Sequence, residues 1–590
     1  MTQNSPKNLS AIIFLFKKGW YYAKGMRATY ILYISMFVLA QAISVSQPYF
    51  IGLLLNSVQT ATTPAETLNN VIKYSLIVFG VLSIFWLLHY PARVLEMRTA
   101  FKIRINYRKD LFKKLLALPL AWHQDNPTGD SIDRINRSTL GLHSFLSSAF
   151  QVLYALTEFI VVIIILLIFM PSAGLICIIA SFTLITIISL FDFYLNKDFR
   201  DLNSYENKIS SAIHDYISNV VTIVALRIAP LVKKEFSLYL TKPESLYRNH
   251  TVRHELKWFA FSLTSNLVLF GVPIWYAYNN YINNQMILVG TFYTLFDYLR
   301  RLNATLFSFS WLYGAILRQV ADVKNADNVE LAYEVLLPSL NEKIIRNWQN
   351  IQIKDLNFIY QKDLNSSGKI SNLNLNIKSG QKIAVVGSSG SGKSTLLNIL
   401  GGLHESATGQ VLVDSNPSSL QDVVKITALI PQSPEIFIET IRFNVTFGIE
   451  TNSDDINYYC KLACFNEVVE RLPRGLESHI AEKGVNLSGG ERQRLALARG
   501  LYLARNANIL LLDEATSSVD PHNERRIYEN IWKEYKDKTI IATIHRLHLL
   551  EMFDYIYVLS NGRVVEEGTL KKLQELEQGE LSKLYRAYKE

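Results

Sequence analysis

Gly387-Ser-Ser-Gly390-Ser-Gly392-Lys393-Ser394-Thr395, preceded by Lys382-Ile-Ala-Val-Val386 and followed by Leu396-Leu-Asn-Ile-Leu400, decides how the second half of this chain folds. The run fits G-x-x-x-x-G-K-[ST], and its flanks predict a short apolar strand, a tight loop and a helix opening at Thr395. Glycines let backbone N–H groups approach an anion, and the helix N-terminus adds a positive partial charge. Lys393 then pairs with β- and γ-phosphates, and Ser394 offers its hydroxyl to Mg2+. Gly387, Ser388, Ser389, Gly390, Ser391, Gly392, Lys393, Ser394 and Thr395 are therefore the candidate cradle for a nucleoside triphosphate.

A second run, Ile509-Leu-Leu-Leu512-Asp513-Glu514, reads as an apolar strand ending in two carboxylates. Such a strand places Asp513 beside the metal and Glu514 near the γ-phosphate, where hydrolysis needs a general base or a water-orienting group. A capped strand end is the plain alternative. The phosphate loop in the same chain favours the catalytic reading.

The first ~320 residues live in a different solvent. The charge-free stretches Ala28 to Ala65, Tyr74 to Ala92, Phe159 to Phe191 and Trp258 to Phe296 are long enough for membrane spans, which need about 20 apolar residues each. The third stretch is interrupted at Met170-Pro171 and the fourth at Asn279 to Asn284, so six helices are expected near 28 to 56, 72 to 92, 142 to 169, 172 to 195, 258 to 279 and 286 to 312. The connections 93 to 137 and 197 to 257 carry ten Lys and Arg each, and the turns near 61 to 73, 170 and 280 carry almost none. The positive-inside rule places both long connections and both termini in the cytosol. Leu111, Phe112, Leu115 and Leu118, and Ile213, Tyr216, Ile217 and Val220, recur at helical spacing, so the spans should continue as helices beyond the bilayer. Reversal points are expected at Pro119 to Asp130 and at His214 to Asn219, as plain turns or as short coupling helices.

The net charge of +9 does not indicate nucleic acid, because the half from Ile351 onward has 28 basic against 30 acidic residues. Three cysteines, Cys177, Cys460 and Cys464, make no disulfide framework and read as buried thiols of a reducing compartment. Ile12 to Phe16, followed at once by Lys17 and Lys18, reads as an interfacial helix and not as a secretory signal.

With these motifs the chain resembles the ATP-binding cassette transporters, specifically exporter-type half-transporters. Leu487-Ser-Gly-Gly-Glu-Arg-Gln-Arg494 is similar to the family signature, with Glu491 where Gln is the commoner spelling. The resemblance implies that Ser488, Gly489, Gly490 and Glu491 face ATP held by a second subunit. It also implies that Gln432 of Pro431-Gln432 senses Mg2+, that Ser518-Val-Asp520 is the D-loop with Asp520 at the nucleotide, and that His545 is the switch histidine. Tyr360 would stack on adenine. Leu118 to Asp130 looks like the exporters' first coupling region, and Val289-Gly-Thr-Phe292 like the start of their sixth helix.

The expected fold is an all-α six-helix transmembrane domain plus an α/β P-loop nucleotide-binding domain, arranged as a cytosolic N-terminus and elbow helix over 1–27, the membrane domain over 28–325, a linker over 326–350 and the cassette over 351–590. The resemblance implies ATP hydrolysis with Glu514, His545 and Gln432 as catalytic groups, and Mg2+ on Ser394, Gln432 and Asp513. A homodimer in an inner or plasma membrane would couple it to export, with import or a regulated gate as the alternatives. At membrane depth, Asp297, Arg300 and Arg301 form an i,i+3 and i,i+4 set. It leaves one surplus positive charge, which would favour an anionic or amphiphilic substrate, with Glu158 as the group that could offset it.

Overall fold

The apolar runs of the first half form helices longer than a bilayer requires. The computed structural model describes residues 8–336, 347–359, 370–404, 407–432, 435–480, 487–576 and 578–589. The chain divides into two compact units, Met1–Ala117 with Thr128–Val335, and Leu118–Pro127 with Leu336–Glu590.

The first unit is helical throughout. The elbow α1 (Asn8–Tyr22) leads to α2 (Arg27–Ser44), α3 (Gln47–Thr60) and α4 (Pro64–Leu116). Short α5 (Leu120–Asp125), which is grouped with the second unit, separates α4 from α6 (Thr128–Ser147), α7 (Ala149–Phe169) and α8 (Pro171–Ser218). Then come α9 (Val220–Ala225), α10 (Ala229–Thr241), α11 (Glu244–Ile282), α12 (Val289–Lys324) and α13 (Asp327–Leu336). With 53 residues α4 is about 80 Å long, so it outruns a ~30 Å hydrocarbon core by more than half its length. Among the described residues five helical segments are long and apolar enough to cross a membrane, spanning 27–60 (α2 with α3), 64–116, 149–169, 171–218 and 229–282 (α10 with α11). The sixth expected span, α12, begins at Val289 as its sequence predicts and carries Asp297, Arg300 and Arg301.

Two details differ from expectation. The first span is not one helix but breaks at Val45 and Ser46, where Pro48 follows in the first turn of α3. Two carbonyls at the break find side-chain partners: Ser46 Oγ donates to Ile43 O at 2.7 Å and Tyr298 Oη to Val45 O at 3.1 Å. The second reversal lies later than His214 to Asn219, because α8 runs on to Ser218. The chain turns instead around α9 and Arg227, whose φ of 55° marks the left-handed corner. Asn219 only ends α8. The stretch expected as linker begins with α13, whose Glu330 pairs with Lys18 of the elbow at 2.6 Å.

A polar seam fastens α3 to α12. Gly52 and Gly290 bring the backbones so close that a Cβ at Gly290 would lie 1.9 Å from Gly52 O. Beside them Asn56 Nδ2 donates to Thr291 Oγ1 at 3.2 Å, and Val289 N donates to Gln59 Oε1 at 2.8 Å.

In the second unit a four-stranded antiparallel sheet, ordered β2-β1-β4-β5, accompanies a six-stranded sheet ordered β10-β9-β3-β8-β7-β6. The strands are β1 (Asn350–Phe358), β2 (Ile370–Lys378), β3 (Lys382–Val386), β4 (Thr408–Val413), β5 (Asn416–Ser418), β6 (Thr427–Ile430), β7 (Ile509–Leu512), β8 (Thr539–Thr543), β9 (Tyr555–Ser560) and β10 (Arg563–Gly568). Between them lie α14 (Lys393–Leu400), α15 (Leu420–Val424), α16 (Ile441–Thr446), α17 (Ser453–Leu462), α18 (Asn466–Arg471), α19 (Gly489–Leu503) and α20 (Pro521–Glu534), with α21 (Leu570–Gln574) and α22 (Glu580–Lys589) after β10. Strand β3 lies between β8 and β9, parallel to both, and all five of its residues are buried. Its Ala384 and Val386 join one apolar core, and Ile383 and Val385 the core on the opposite face. A strand buried on both faces reads as a continuous apolar run, which is why it was visible in the sequence. Strand β1 ends at Phe358, and Tyr360, expected to stack on adenine, lies outside the described residues.

Candidate functional site

Strands β3, β6, β7 and β8 run parallel, and their carboxyl ends carry the candidate site, the usual position for ligands on open α/β sheets. After β3 the chain turns through Gly387, whose φ of 155° and whose approach to Leu559 O, 2.2 Å from an added Cβ, leave no room for a side chain. Lys393 opens α14 and is buried; its Nζ donates to Gly387 O at 3.0 Å and Ser388 O at 3.1 Å. Burial pulls its ammonium below the usual lysine range, against the opposing pull of Glu514 and Asp513. A phosphate in the loop would restore that charge by direct pairing. Ser391 Oγ is buried with no hydrogen-bond partner among the described residues, a further sign that the loop is shaped for an anionic guest.

Asp513 and Glu514 leave β7 in different environments. Asp513 Oδ1 accepts from Ser394 Oγ at 3.0 Å and from Thr543 Oγ1 at 2.9 Å. Burial pushes its carboxyl up, although both hydroxyls favour the ionised form. Oxygen donors on Ser394 and Asp513, adjacent to a phosphate loop, fit Mg2+, which is typically held by one or two carboxylates plus substrate phosphates. Glu514 sits at φ 45°, an uncommon conformation for a residue with a side chain, fixed by its N–H donating to Thr543 Oγ1 at 2.8 Å. Its carboxylate is held at both oxygens: Gln432 Nε2 lies 2.5 Å from Oε2 and His545 Nε2 2.5 Å from Oε1. The sequence-predicted Ser394, Gln432, Asp513, Glu514 and His545 thus meet in one network, joined through Thr543.

Ser488 and Asp520 have other partners. Ser488 caps α19, its Oγ accepting from Glu491 N at 3.3 Å while Glu491 Oε2 accepts from Ser488 N at 2.8 Å. Expected at the nucleotide, the Glu491 carboxylate is instead engaged in this capping box and in a 2.5 Å ion pair with Arg471. Burial alone would raise its carboxyl, but the Ser488 and Arg471 bonds overcome that and hold it below the ordinary range. The Gly489 and Gly490 N–H groups lie in the first turn of α19, where an anion is favoured. Asp520 caps α20 by accepting from Asn523 N at 3.0 Å. Gln493, quoted in the signature but given no role, ties the two regions together: Nε2 donates to Glu514 O at 3.1 Å and Oε1 accepts from Ser518 N at 2.7 Å. Thr543 was also missed. A buried Gln and a Thr at a strand end carry no sequence signal of their own.

Cys460 is buried, and burial pushes its thiol up to about 12, so it is inert at neutral pH. In the membrane unit the charge set is balanced. Arg300 Nη2 lies 2.7 Å and Arg301 Nε 3.0 Å from Asp297, while Arg301 also reaches Glu158 at 3.5 Å and Gln47 at 3.0 Å. Two carboxylates therefore face two guanidiniums. Glu158 removes the expected surplus positive charge, and the argument for an anionic substrate goes with it.

A family model described as ABC transporter matches residues 370–517, and one described as ABC transporter transmembrane region matches 30–302. The chain belongs to the ABC transporters, with the transmembrane region before the ATP-binding cassette. Its relatives include "ABC transporter B family member 14" of Arabidopsis thaliana, 26% identical over 85% of this chain and 40% of that one. The chain thus spans about two fifths of that plant relative. A putative ABC transporter ATP-binding protein of Streptococcus pneumoniae, exp8, is 27% identical over 84% of this chain and 85% of its own. An ATP-dependent lipid A-core flippase of Francisella tularensis is 27% identical over 82% and 80%. Among solved structures, a bacterial Atm1-family ABC exporter with ATP bound has the same fold, with a TM-score of 0.80 over 95% of this chain and 98% of that one at 21% identity.

Proposed function

We propose that this chain is an ATP-driven exporter of an amphiphilic molecule, working as a homodimer in an inner or plasma membrane with both termini in the cytosol. The observation that carries the reading is the Glu514 carboxylate, held between Gln432 and His545 beside the Ser394 and Asp513 oxygens. A gate that only binds ATP has no need of a carboxylate so placed. Lys393 and the loop N–H groups hold the phosphates, and Ser394, Asp513 and the Gln432 amide oxygen are the groups that would hold Mg2+. Bound there, Mg2+ supplies charge neutralisation between the β- and γ-phosphates. Glu514 orients and deprotonates the attacking water, and His545 passes its Nε2 hydrogen bond from Glu514 to the γ-phosphate when the nucleotide is bound. Ser488, Gly489 and Gly490 of one subunit complete the site of the other, closure is transmitted through α5 and α9, and hydrolysis resets the dimer. The basic long connections support the orientation, and likeness to a lipid A-core flippase supports a lipid-like substrate.

ATP-dependent uptake of a labelled amphiphile into inside-out vesicles tests this. Accumulation that needs MgATP and disappears in Glu514→Gln is the expected result. Depletion of the vesicle lumen would indicate import. MgATP turnover without movement in either direction would sink the transport reading.

A further inference from the structure

A cavity of about 520 Å3 lies inside the membrane unit between α7, α8 and α12, with Ile12 of the elbow at its edge. Its volume is within the range of small-molecule sites, roughly 300–1,000 Å3. It does not coincide with the Asp297 cluster, touching it only through Thr305, which donates to Glu158 at 3.1 Å. Depth can be read from helix rise. Phe159 lies 10 residues before the end of α7, and Ile185 lies 14 residues into α8. At 1.5 Å per residue both fall about 15–21 Å from the outer edge, near mid-bilayer. Asp192 and Tyr313 lie 21 and 24 residues into their helices, and so about 32–36 Å from that edge, at the inner interface. The cavity is therefore apolar toward the bilayer centre and polar at its cytosolic end, and it opens along α8, where Phe193 is exposed.

Charge at the polar end is one-sided. Asp192 is the only charged residue lining the cavity among those described. Its partner Lys257, 3.1 Å away, is turned into the protein, with 7% of its side chain exposed against 22% for Asp192, and its ammonium sits 4.7 Å over the Trp258 ring. A guest thus meets the carboxylate and not the ammonium. Resting on the export reading for its biological meaning, we propose that this cavity is the substrate site for a hydrophobic cation. The apolar body packs against Phe159, Leu156 and Ile185, and the positive head shares the Asp192 carboxylate with Lys257.

Two ions of matched size and shape and opposite charge, tetraphenylphosphonium and tetraphenylborate, test the proposal by equilibrium binding to the full chain in phosphatidylcholine nanodiscs without nucleotide, after subtraction of binding to empty nanodiscs. The expected result is about tenfold or greater preference for the cation, lost in Asp192→Asn and increased in Lys257→Gln, which leaves the carboxylate uncompensated. Ile188→Trp, which fills the cavity, should weaken both ions together. A purely structural Asp192–Lys257 pair would make the first two variants fall together, and a groove filled only by lipid would show no charge preference; either result overturns the proposal. MgATP hydrolysis by the same wild-type nanodiscs reports separately on the proposed function: without turnover that reading fails, while the binding preference can still be read.

Discussion

Glu514 combines an unfavourable backbone conformation with a carboxylate whose two oxygens are both engaged, and strain kept at such a point accords with a functional role. Glu514→Gln preserves the side chain's length and one acceptor oxygen while removing its basicity. ATP turnover should fall by about 10^2–10^4-fold with nucleotide affinity nearly unchanged, as measured by phosphate release and by equilibrium ATP binding. Near wild-type turnover would remove Glu514 from the chemistry. Glu491 makes a contrasting case, because its carboxylate caps a helix. Glu491→Gln should leave turnover within about twofold, and Glu491→Ala should cost ~1 kcal/mol of stability through the lost box. The sign with pH follows from the lowered carboxyl: the ionised form is favoured in the fold, so its contribution is complete above the ordinary value of about 4.3 and is lost as pH falls through the lowered one. The stability gap between wild type and Glu491→Gln in thermal unfolding should therefore close in acid. A gap that widened instead would contradict this account of Glu491.

At the scale of elements, the strands and helices flanking the phosphate loop were legible because strands buried on both faces are continuous apolar runs and the loop is fixed by glycines. The ends of β3 and β7 fall where the sequence places them. The break at Val45–Ser46 was not legible, since Pro48 at the start of a helix and Pro91 within one look alike in a hydropathy window. Nor was the role of Gln493, which depends on α19 reaching the segment that follows β7. Gln493→Ala would leave the Ser518 N–H and the Glu514 carbonyl without this partner, so it should reduce turnover about tenfold or more with a smaller change in ATP affinity, read by the same two assays. The α3–α12 seam yields a packing prediction. Gly290→Val places methyl groups where Gly52 O and Asn56 already stand, and such overpacking costs about 1–3 kcal/mol. Thermal unfolding of the membrane unit should reveal it, and a variant as stable as wild type would show that the two backbones are not held so closely.

For the whole molecule, the separation of the candidate site into two networks is what matters. Ser394, Asp513, Glu514, Gln432 and His545 form one; Ser488 caps α19 in another, with Gly489 and Gly490 in its first turn. If ATP is sandwiched between the phosphate loop of one subunit and the signature of its partner, the effect of two mutations depends on how they are distributed. Lys393→Ala removes the charge facing the phosphates, and Ser488→Ala removes the cap that positions the signature. Placed in different chains of a dimer, they damage the same composite site and leave the other intact. Placed in one chain opposite a wild-type partner, they damage both. Purified dimers with a distinct affinity tag on each chain should therefore hydrolyse ATP faster in the first arrangement, at up to about half the wild-type rate if the two sites act independently. A chain that used its own signature would reverse the order, with the second arrangement the faster, because its wild-type partner would keep a complete site.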